Sequence, residues 1–98
     1  EIEAIVGRDR AVGLVAVIST PDEKWGERPL LVVQPRNGER IDAARLLEAL
    51  RGKVADWWIP ERIAKVEAMP LAASGKIDKN RLRADYEAGE IAAEEIKV

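Results

Sequence analysis

The stretch AVGLVAVIST, residues 11–20, carries the clearest strand signal in the chain. It is rich in β-branched residues and apolar at successive positions, which predicts a strand covered on both faces and central in its sheet. The stretch PLLVVQ, residues 29–34, predicts a second strand. Because only the polar segment 21–28 separates the two, we expect them to be antiparallel neighbours.

Helical and strand patterns surround this pair of strands. The predicted elements are a helix over residues 1–8, strands over 11–20 and 29–34, a helix from about 42 to 53, a strand over 62–66 and a helix from about 78 to 86. Asp42 is the expected N-cap of the second helix, and Asp78 or Asn80 that of the third. This order indicates a small α+β domain in which about three helices cover a three-stranded, mainly antiparallel sheet.

The end of the chain has a different composition. Residues 87–98 are charged and alanine-rich, with only Ile91 and Ile96 to bury. We therefore expect a domain over residues 1–86, followed by a tail that is frayed, disordered or in contact with another chain. Since Glu1 falls in what reads as the middle of a helix, the chain is also expected to be a fragment of a longer protein.

Composition excludes several kinds of site. The 98 residues suffice for one domain but not for a deep cleft between two lobes. A net charge of -2 gives no general attraction to nucleic acid or anionic membranes. There is no cysteine or histidine, which removes thiolate chemistry, imidazole bases and the usual zinc ligands. The longest apolar run, residues 14–18, is far too short to span a membrane, so a cytoplasmic location is expected.

The segment EAMPLAASGKIDKNRLR, residues 67–83, contains the candidate catalytic residue, Lys76. Small side chains at 72–75 leave little bulk to fix the backbone, which predicts a mobile loop that opens into the last helix. An ammonium with three donors on a flexible stem suits the neutralisation of charge that develops in a separate site. On spacing alone, a Ser-Gly-Lys turn before a helix is also a common place for a solvated lysine.

Two other interpretations of this segment fit poorly. A Walker A loop requires a glycine five positions before Gly75 and a hydroxyl residue after Lys76, where Ile77 stands. A basic nucleic-acid patch would be interrupted by Asp78 and Asp85 and lacks interleaved aromatic residues. We expect neither phosphate-loop nucleotide binding nor nucleic-acid binding.

The tryptophans are candidate ligand contacts. Trp25 lies among charged residues, where an indole either packs against its own loop or offers a face on which a base can stack. Trp57 and Trp58 are adjacent, so we expect one in the core and the other at or near a surface with a partner.

Three segments taken in order resemble the C-terminal domain of the adenylate-forming enzymes: PDEKWGERP (21–29), ADWWIPERI (55–63) and MPLAASGKIDKNRLR (69–83). This superfamily comprises acyl-CoA synthetases, adenylation domains of peptide synthetases and firefly-type luciferases. The Trp-Trp-Ile-Pro stretch is most similar to the fatty and medium-chain acyl-CoA ligases. The resemblance covers residues 1 to about 84.

The resemblance implies a two-step reaction. A carboxylic acid and Mg-ATP give an acyl-adenylate and pyrophosphate, and the thiol of coenzyme A then gives a thioester and AMP. An N-terminal domain outside this chain would hold the acid and the nucleotide, and Lys76 occupies the place of the lysine that approaches the carboxylate and α-phosphate. Trp25, Trp57 and Gly75 are the candidate cofactor-binding residues, the tryptophans beside coenzyme A. No metal ligand and no activity of the isolated domain are expected.

The sequence departs from the family pattern in places. Ile59-Pro60-Glu61 stands where related ligases have basic residues for the phosphate of coenzyme A, which leaves Arg62, Lys53 or Lys24 for that contact. Asp9-Arg10 replaces a usual His-Pro.

The sequence is also compatible with alternatives to an acyl-CoA ligase. Adenylation for a carrier protein or for light emission differs only in the acceptor. A non-catalytic docking or regulatory module would use the tryptophans as a protein-binding patch. Acetylation of Lys76 would remove its charge and act as an off-switch in an active enzyme.

Overall fold

A computed structural model describes residues 1–96 of the chain, and no helix in that range is long and apolar enough to cross a membrane. The elements within this range are α1 (Ile2–Val6), β1 (Val12–Asp22), β2 (Gly26–Pro35), α2 (Ala43–Leu50), a 3₁₀ turn (Asp56–Trp58), β3 (Arg62–Lys65), α3 (Lys79–Glu87) and β4 (Glu94–Glu95). The predicted α+β class and the order of the predicted elements are confirmed. β4 is a strand that the sequence did not predict.

The described strands form one sheet in the order β1-β2-β3-β4. β1 and β2 are antiparallel neighbours, as predicted, and Gly26 at φ 80° completes the tight turn between them. β2 and β3 run parallel, and β4 is antiparallel to β3. β1 therefore lies at an edge, so the prediction that it is central is wrong.

Both faces of the sheet are covered, which explains the apolar character of an edge strand. Along β2, Leu31 and Val33 belong to one buried cluster and Leu30 and Val32 to another, so the clusters lie on opposite faces. The first cluster includes buried residues of α1 and α2; the second includes Leu82 of α3. The sheet is the middle layer between these helices.

Aspartates are the N-cap residues of the two longer helices, α2 and α3. The side chain of Asp42 accepts a hydrogen bond from the Arg45 N–H (3.2 Å), and that of Asp78 accepts one from the Arg81 N–H (3.0 Å). Each satisfies a backbone donor that the first turn of a helix leaves free. Asp42 is confirmed as an N-cap, and Asp78 rather than Asn80 caps α3.

The segment after α3 does not form the poorly anchored tail that the sequence predicted. Ile91 packs against the second cluster, Glu94–Glu95 pairs with β3, and Ile96 packs against the first cluster. The Ile96 N–H also donates to the carbonyl of Glu61 (2.8 Å). The prediction failed because two glutamates carry no strand pattern. Residues 97–98 of the predicted tail lie outside the described residues, and a domain limit at residue 86 stays a prediction.

Candidate functional site

The loop that carries Lys76 is a small hydrogen-bonded hairpin. The Ala72 N–H donates to the carbonyl of Lys76 (2.7 Å), and the Gly75 N–H donates to the carbonyl of Ala72 (2.9 Å). The Asp78 N–H donates to the carbonyl of Pro70 (2.9 Å) and closes the base of the loop. The prediction of a loop with little to fix its backbone is therefore wrong. The arms are paired through Leu71 and Ile77 and through Ala72 and Lys76, and the small residues 73–75 form the turn between them.

Gly75 makes the turn of this hairpin. Its φ of 88° lies in the left-handed region that residues with a Cβ rarely adopt. No atom lies within 4 Å of the position that a Cβ would take, so backbone conformation rather than crowding requires glycine there. A contact between Gly75 and a cofactor stays a prediction.

Both arms of the hairpin are anchored to the domain. Met69, just before Pro70, is buried in the second cluster, and its N–H donates to the Gln34 side chain (2.6 Å). On the other arm, Ile77 packs against the same cluster and Asp78 caps α3. The hairpin therefore has a fixed base, from which its tip extends.

Lys76 itself is exposed, and its ammonium forms no ion pair with any residue in 1–96. The nearby Lys79 differs, because its Nζ lies 2.7 Å from the Glu3 carboxylate. Within the described part of the chain, the charge of Lys76 is thus not neutralised by a bonded carboxylate. It is therefore available to an anion from outside these residues.

Trp25 lies at the tip of the β1–β2 turn and is 64% exposed. Asp22 holds this turn: its carboxylate accepts hydrogen bonds from the N–H groups of Trp25 (2.9 Å) and Lys24 (2.8 Å). These donors, that of Trp25 first, lower the pKa of Asp22 below its ordinary value although partial desolvation opposes them. The Lys24 ammonium lies 5.3 Å from the centre of the indole ring. The indole of Trp25 is therefore exposed rather than buried against its own loop.

Trp57 and Trp58 form an exposed pair. Their rings meet edge to face, with centres 5.2 Å apart, and they are 69% and 49% exposed. The prediction that one of them lies in the core is wrong, because the next two residues take the inward positions. Ile59 packs against the first cluster, and Pro60 is buried.

Arg28 fixes the segment that carries these tryptophans. Its guanidinium donates to the carbonyl of Trp57 (2.8 Å) and to the Glu61 carboxylate (2.7 Å), with a longer contact to the carbonyl of Ile59 (3.4 Å). Sequence reasoning missed this residue. Its partners lie 29 to 33 positions away, and no local pattern joins them.

The predicted site residues fall into two groups. Because β2 and β3 are parallel, the turn of Trp25 and the segment of Trp57 both lie where these strands begin. The hairpin of Lys76 starts beyond the end of β3. Beside Arg28 is an open cleft of about 740 Å³, lined among others by Asp22, Asp56, Glu61, Arg51 beside α2 and Glu95 of β4; neither Trp25 nor Trp57 lines it.

The side chain of Arg62 forms hydrogen bonds within the domain. Its guanidinium donates to the Tyr86 hydroxyl (2.8 Å) and the Thr20 hydroxyl (2.6 Å). Of the three cations expected to meet the phosphate of coenzyme A, Lys24 and Lys53 remain exposed. Lys24 is the one that lies beside a candidate stacking residue.

Comparison with known proteins shows the family. Residues 1–76 match the model of the AMP-binding enzyme C-terminal domain. The 3-methylmercaptopropionyl-CoA ligase of Ruegeria pomeroyi is 44% identical over 86 residues, and the medium-chain-fatty-acid–CoA ligase of Ectopseudomonas oleovorans is 37% identical over 86 residues. Each match covers 88% of this chain, which spans only 16% of the length of either ligase.

A solved structure agrees with these sequence matches. The apo form of MatB from Rhodopseudomonas palustris superposes with a TM-score of 0.81 at 32% identity, over 91% of this chain and 18% of that one. The resemblance noted in the sequence is thereby confirmed: the chain belongs to the AMP-binding enzyme C-terminal domain family.

Proposed function

We propose that this chain is the C-terminal domain of an AMP-forming acyl-CoA ligase and that Lys76 supplies the ammonium for acyl-adenylate formation. Membership of the family supports the class of reaction, since the relatives reported above are named CoA ligases. The observation that carries the role of Lys76 is its place directly after the turn of a hydrogen-bonded hairpin, exposed and without an ion pair in residues 1–96. The proposal places this reaction in the cytoplasm.

The chemistry needs such a cation. In the first step a carboxylate oxygen bonds to the α-phosphorus of ATP, and the bond from that phosphorus to the pyrophosphate oxygen breaks. Both reacting groups are anionic, so an ammonium between them lowers their repulsion and stabilises the charge that builds in the transition state. The larger part of the ligase would hold the acid, ATP and Mg²⁺. Residues 1–96 contain no cluster of three or more metal-ligating side chains.

The second step would use the end of the sheet at which Trp25 and Trp57 lie. The thiol sulfur of coenzyme A bonds to the carbonyl carbon of the acyl-adenylate, and AMP leaves. Trp25 and Trp57 are proposed to hold the coenzyme, because exposed indoles offer faces on which its adenine can stack, at about 1–3 kcal/mol for each base. Lys24, beside Trp25, would meet a phosphate of the same ligand.

The test is Lys76→Ala in the full-length ligase, with the two half-reactions measured separately. We expect acid-dependent pyrophosphate release to fall by about 10²–10³, the loss typical of removing one preorganised electrostatic contact. Conversion of preformed acyl-adenylate and coenzyme A to thioester should change by less than about tenfold. Lys65→Ala, which removes another exposed lysine, is the matched control and should leave both half-reactions unchanged. An equal loss in both halves would contradict the role given to Lys76.

The exposed tryptophans also favour a second candidate, a docking module without catalytic function. It predicts a different result from the same experiment. In a docking module, Lys76→Ala would leave both half-reactions unchanged, whereas substitutions at Trp25 or Trp57 would release a protein partner.

A further inference from the structure

One carboxylate joins three elements close to the lysine hairpin. Glu3, on α1, accepts a hydrogen bond from the N–H of Val17 in β1 (2.8 Å) through its Oε2. The same oxygen lies 2.7 Å from the ammonium of Lys79, the first residue of α3. Glu3 therefore connects α1, the edge strand and the beginning of α3.

We propose that Glu3 is a positioning residue for Lys76. Lys79 follows Asp78 directly, and the N–H of Asp78 closes the hairpin on the carbonyl of Pro70. Holding Lys79 against Glu3 therefore fixes the end of the hairpin relative to α1 and β1. This inference rests on the proposed function of Lys76, because it assigns Glu3 a role in the step that Lys76 is proposed to assist.

The Glu3 contact complements the anchor on the other arm. The start of the hairpin is tied to β2 by the bond from the Met69 N–H to the Gln34 side chain. Its end is tied to the neighbouring edge strand and to α1 by Lys79 and Glu3. Ile77 packs against the second cluster and holds this arm as well, so loss of the Glu3–Lys79 tie should loosen the beginning of α3 and displace Lys76 rather than release the hairpin.

The charges on this contact favour its persistence at neutral pH. Partial burial alone would raise the pKa of Glu3, but the hydrogen bonds from the Lys79 ammonium and the Val17 N–H outweigh it and lower that pKa below its ordinary value. Both side chains remain partly exposed, at 39% for Glu3 and 42% for Lys79. Water and salt therefore weaken the pair, and its effect on the reaction should be modest.

The experiment uses the full-length ligase with Glu3→Gln, Lys79→Gln and the double variant. Glutamine at position 3 keeps an acceptor for Val17 but loses the charge. Each single variant should slow acid-dependent pyrophosphate release by about two- to fivefold, the range expected for a partly exposed ion pair. The thioester half-reaction should change by less than about 1.5-fold, a difference that a general loss of structure would not produce.

Three further results would show that the Glu3–Lys79 contact positions Lys76. The double variant should be no slower than either single variant, because both remove the same interaction. Lys79→Arg should restore most of the rate. Arg81→Gln, which breaks the ion pair of Arg81 with Asp85 on the same helix, should leave both half-reactions unchanged.

The outcomes separate this inference from the proposed function. If Lys76→Ala abolishes pyrophosphate release and the variants of Glu3 and Lys79 do not slow it, the positioning role is wrong and the function of Lys76 stands. Equal slowing of both half-reactions, or additive effects in the double variant, would also overturn the positioning role. If Lys76→Ala itself has no effect, the proposed function fails. Should Glu3→Gln fail to fold, Lys79→Gln on the surface of α3 decides the question.

Discussion

Replacing Arg28 by methionine tests whether one side chain holds the segment that presents Trp57. The Arg28 side chain is 13% exposed and donates to the carbonyl of Trp57 at 2.8 Å and to the carboxylate of Glu61 at 2.7 Å. Methionine keeps much of the apolar stem but removes every donor. The segment would then be held mainly by Ile59 and Pro60, which pack inward.

The two contacts of Arg28 should differ in strength. A hydrogen bond from a charged donor contributes about 1.5–3 kcal/mol when water is excluded, but the Trp57 segment is exposed and water replaces part of the lost bond. The Glu61 side chain is 78% exposed, so its ion pair contributes about 0–1 kcal/mol. We therefore expect Arg28→Met to lower the free energy of unfolding by about 1–2 kcal/mol, and Glu61→Gln by less than about 0.5 kcal/mol.

The measurement is urea unfolding of the 98-residue chain, followed by circular dichroism. Arg36→Met is a matched control, because within residues 1–96 the side chain of Arg36 makes only a 3.5 Å hydrogen bond, to the carbonyl of Val12. In the full-length ligase, Arg28→Met should also raise the KM for coenzyme A, since Trp57 would lose its fixed position. If Arg28→Met costs no more stability than Arg36→Met or Glu61→Gln, Arg28 does not hold the segment and the argument fails.

The remaining predictions concern the coenzyme site and acid stability. In the full-length ligase, Trp25→Ala and Trp57→Ala should each raise the KM for coenzyme A by between about fivefold and 150-fold, from roughly 1–3 kcal/mol of stacking, and leave pyrophosphate release unchanged. An unchanged KM in both variants would remove the tryptophans from the coenzyme site. Asp9 accepts two hydrogen bonds from Arg45 (2.7 and 2.8 Å), which lower the pKa of Asp9 below its ordinary value. A lowered pKa means that Asp9 stabilises the fold fully above about pH 4 and progressively less as the pH falls through its folded pKa. Urea unfolding should therefore show Asp9→Asn to be less stable than the parent chain at pH 7, with a difference that shrinks at pH values below about 4; a difference of equal size in acid would contradict this.

Features with a local cause could be predicted from the sequence. Asp42 caps α2 because an aspartate before an apolar helical pattern satisfies a free N–H in the first turn, and both partners lie within a few residues. The pairing of β1 with β2 follows from two apolar runs joined by a short polar turn. The place of Lys76 in an exposed loop follows from the small residues before it.

Features that depend on distant partners could not be predicted. The apolar pattern of β1 shows that both its faces are covered. It cannot show whether a strand other than β2 pairs with the opposite edge of β1. The contacts of Arg28 and of Glu3 join residues far apart in the chain. The Asp9 carboxylate likewise has a distant partner, because it is paired with Arg45 on α2.

The hairpin of Lys76 bears on how this lysine would reach a separate site. Ordering a flexible loop costs about 1–2 kcal/mol for each residue whose backbone becomes fixed. A fully disordered segment over the five residues 72–76 would therefore oppose delivery of the ammonium by roughly 5–10 kcal/mol, more than the about 3–4 kcal/mol that one electrostatic contact contributes to catalysis. Internal hydrogen bonds, anchored arms and Gly75 at positive φ fix this backbone in advance, so only the side chain has to be ordered. For Lys76 to reach a site on a separate domain, this geometry favours movement of the whole C-terminal domain as one body rather than movement of the loop upon it.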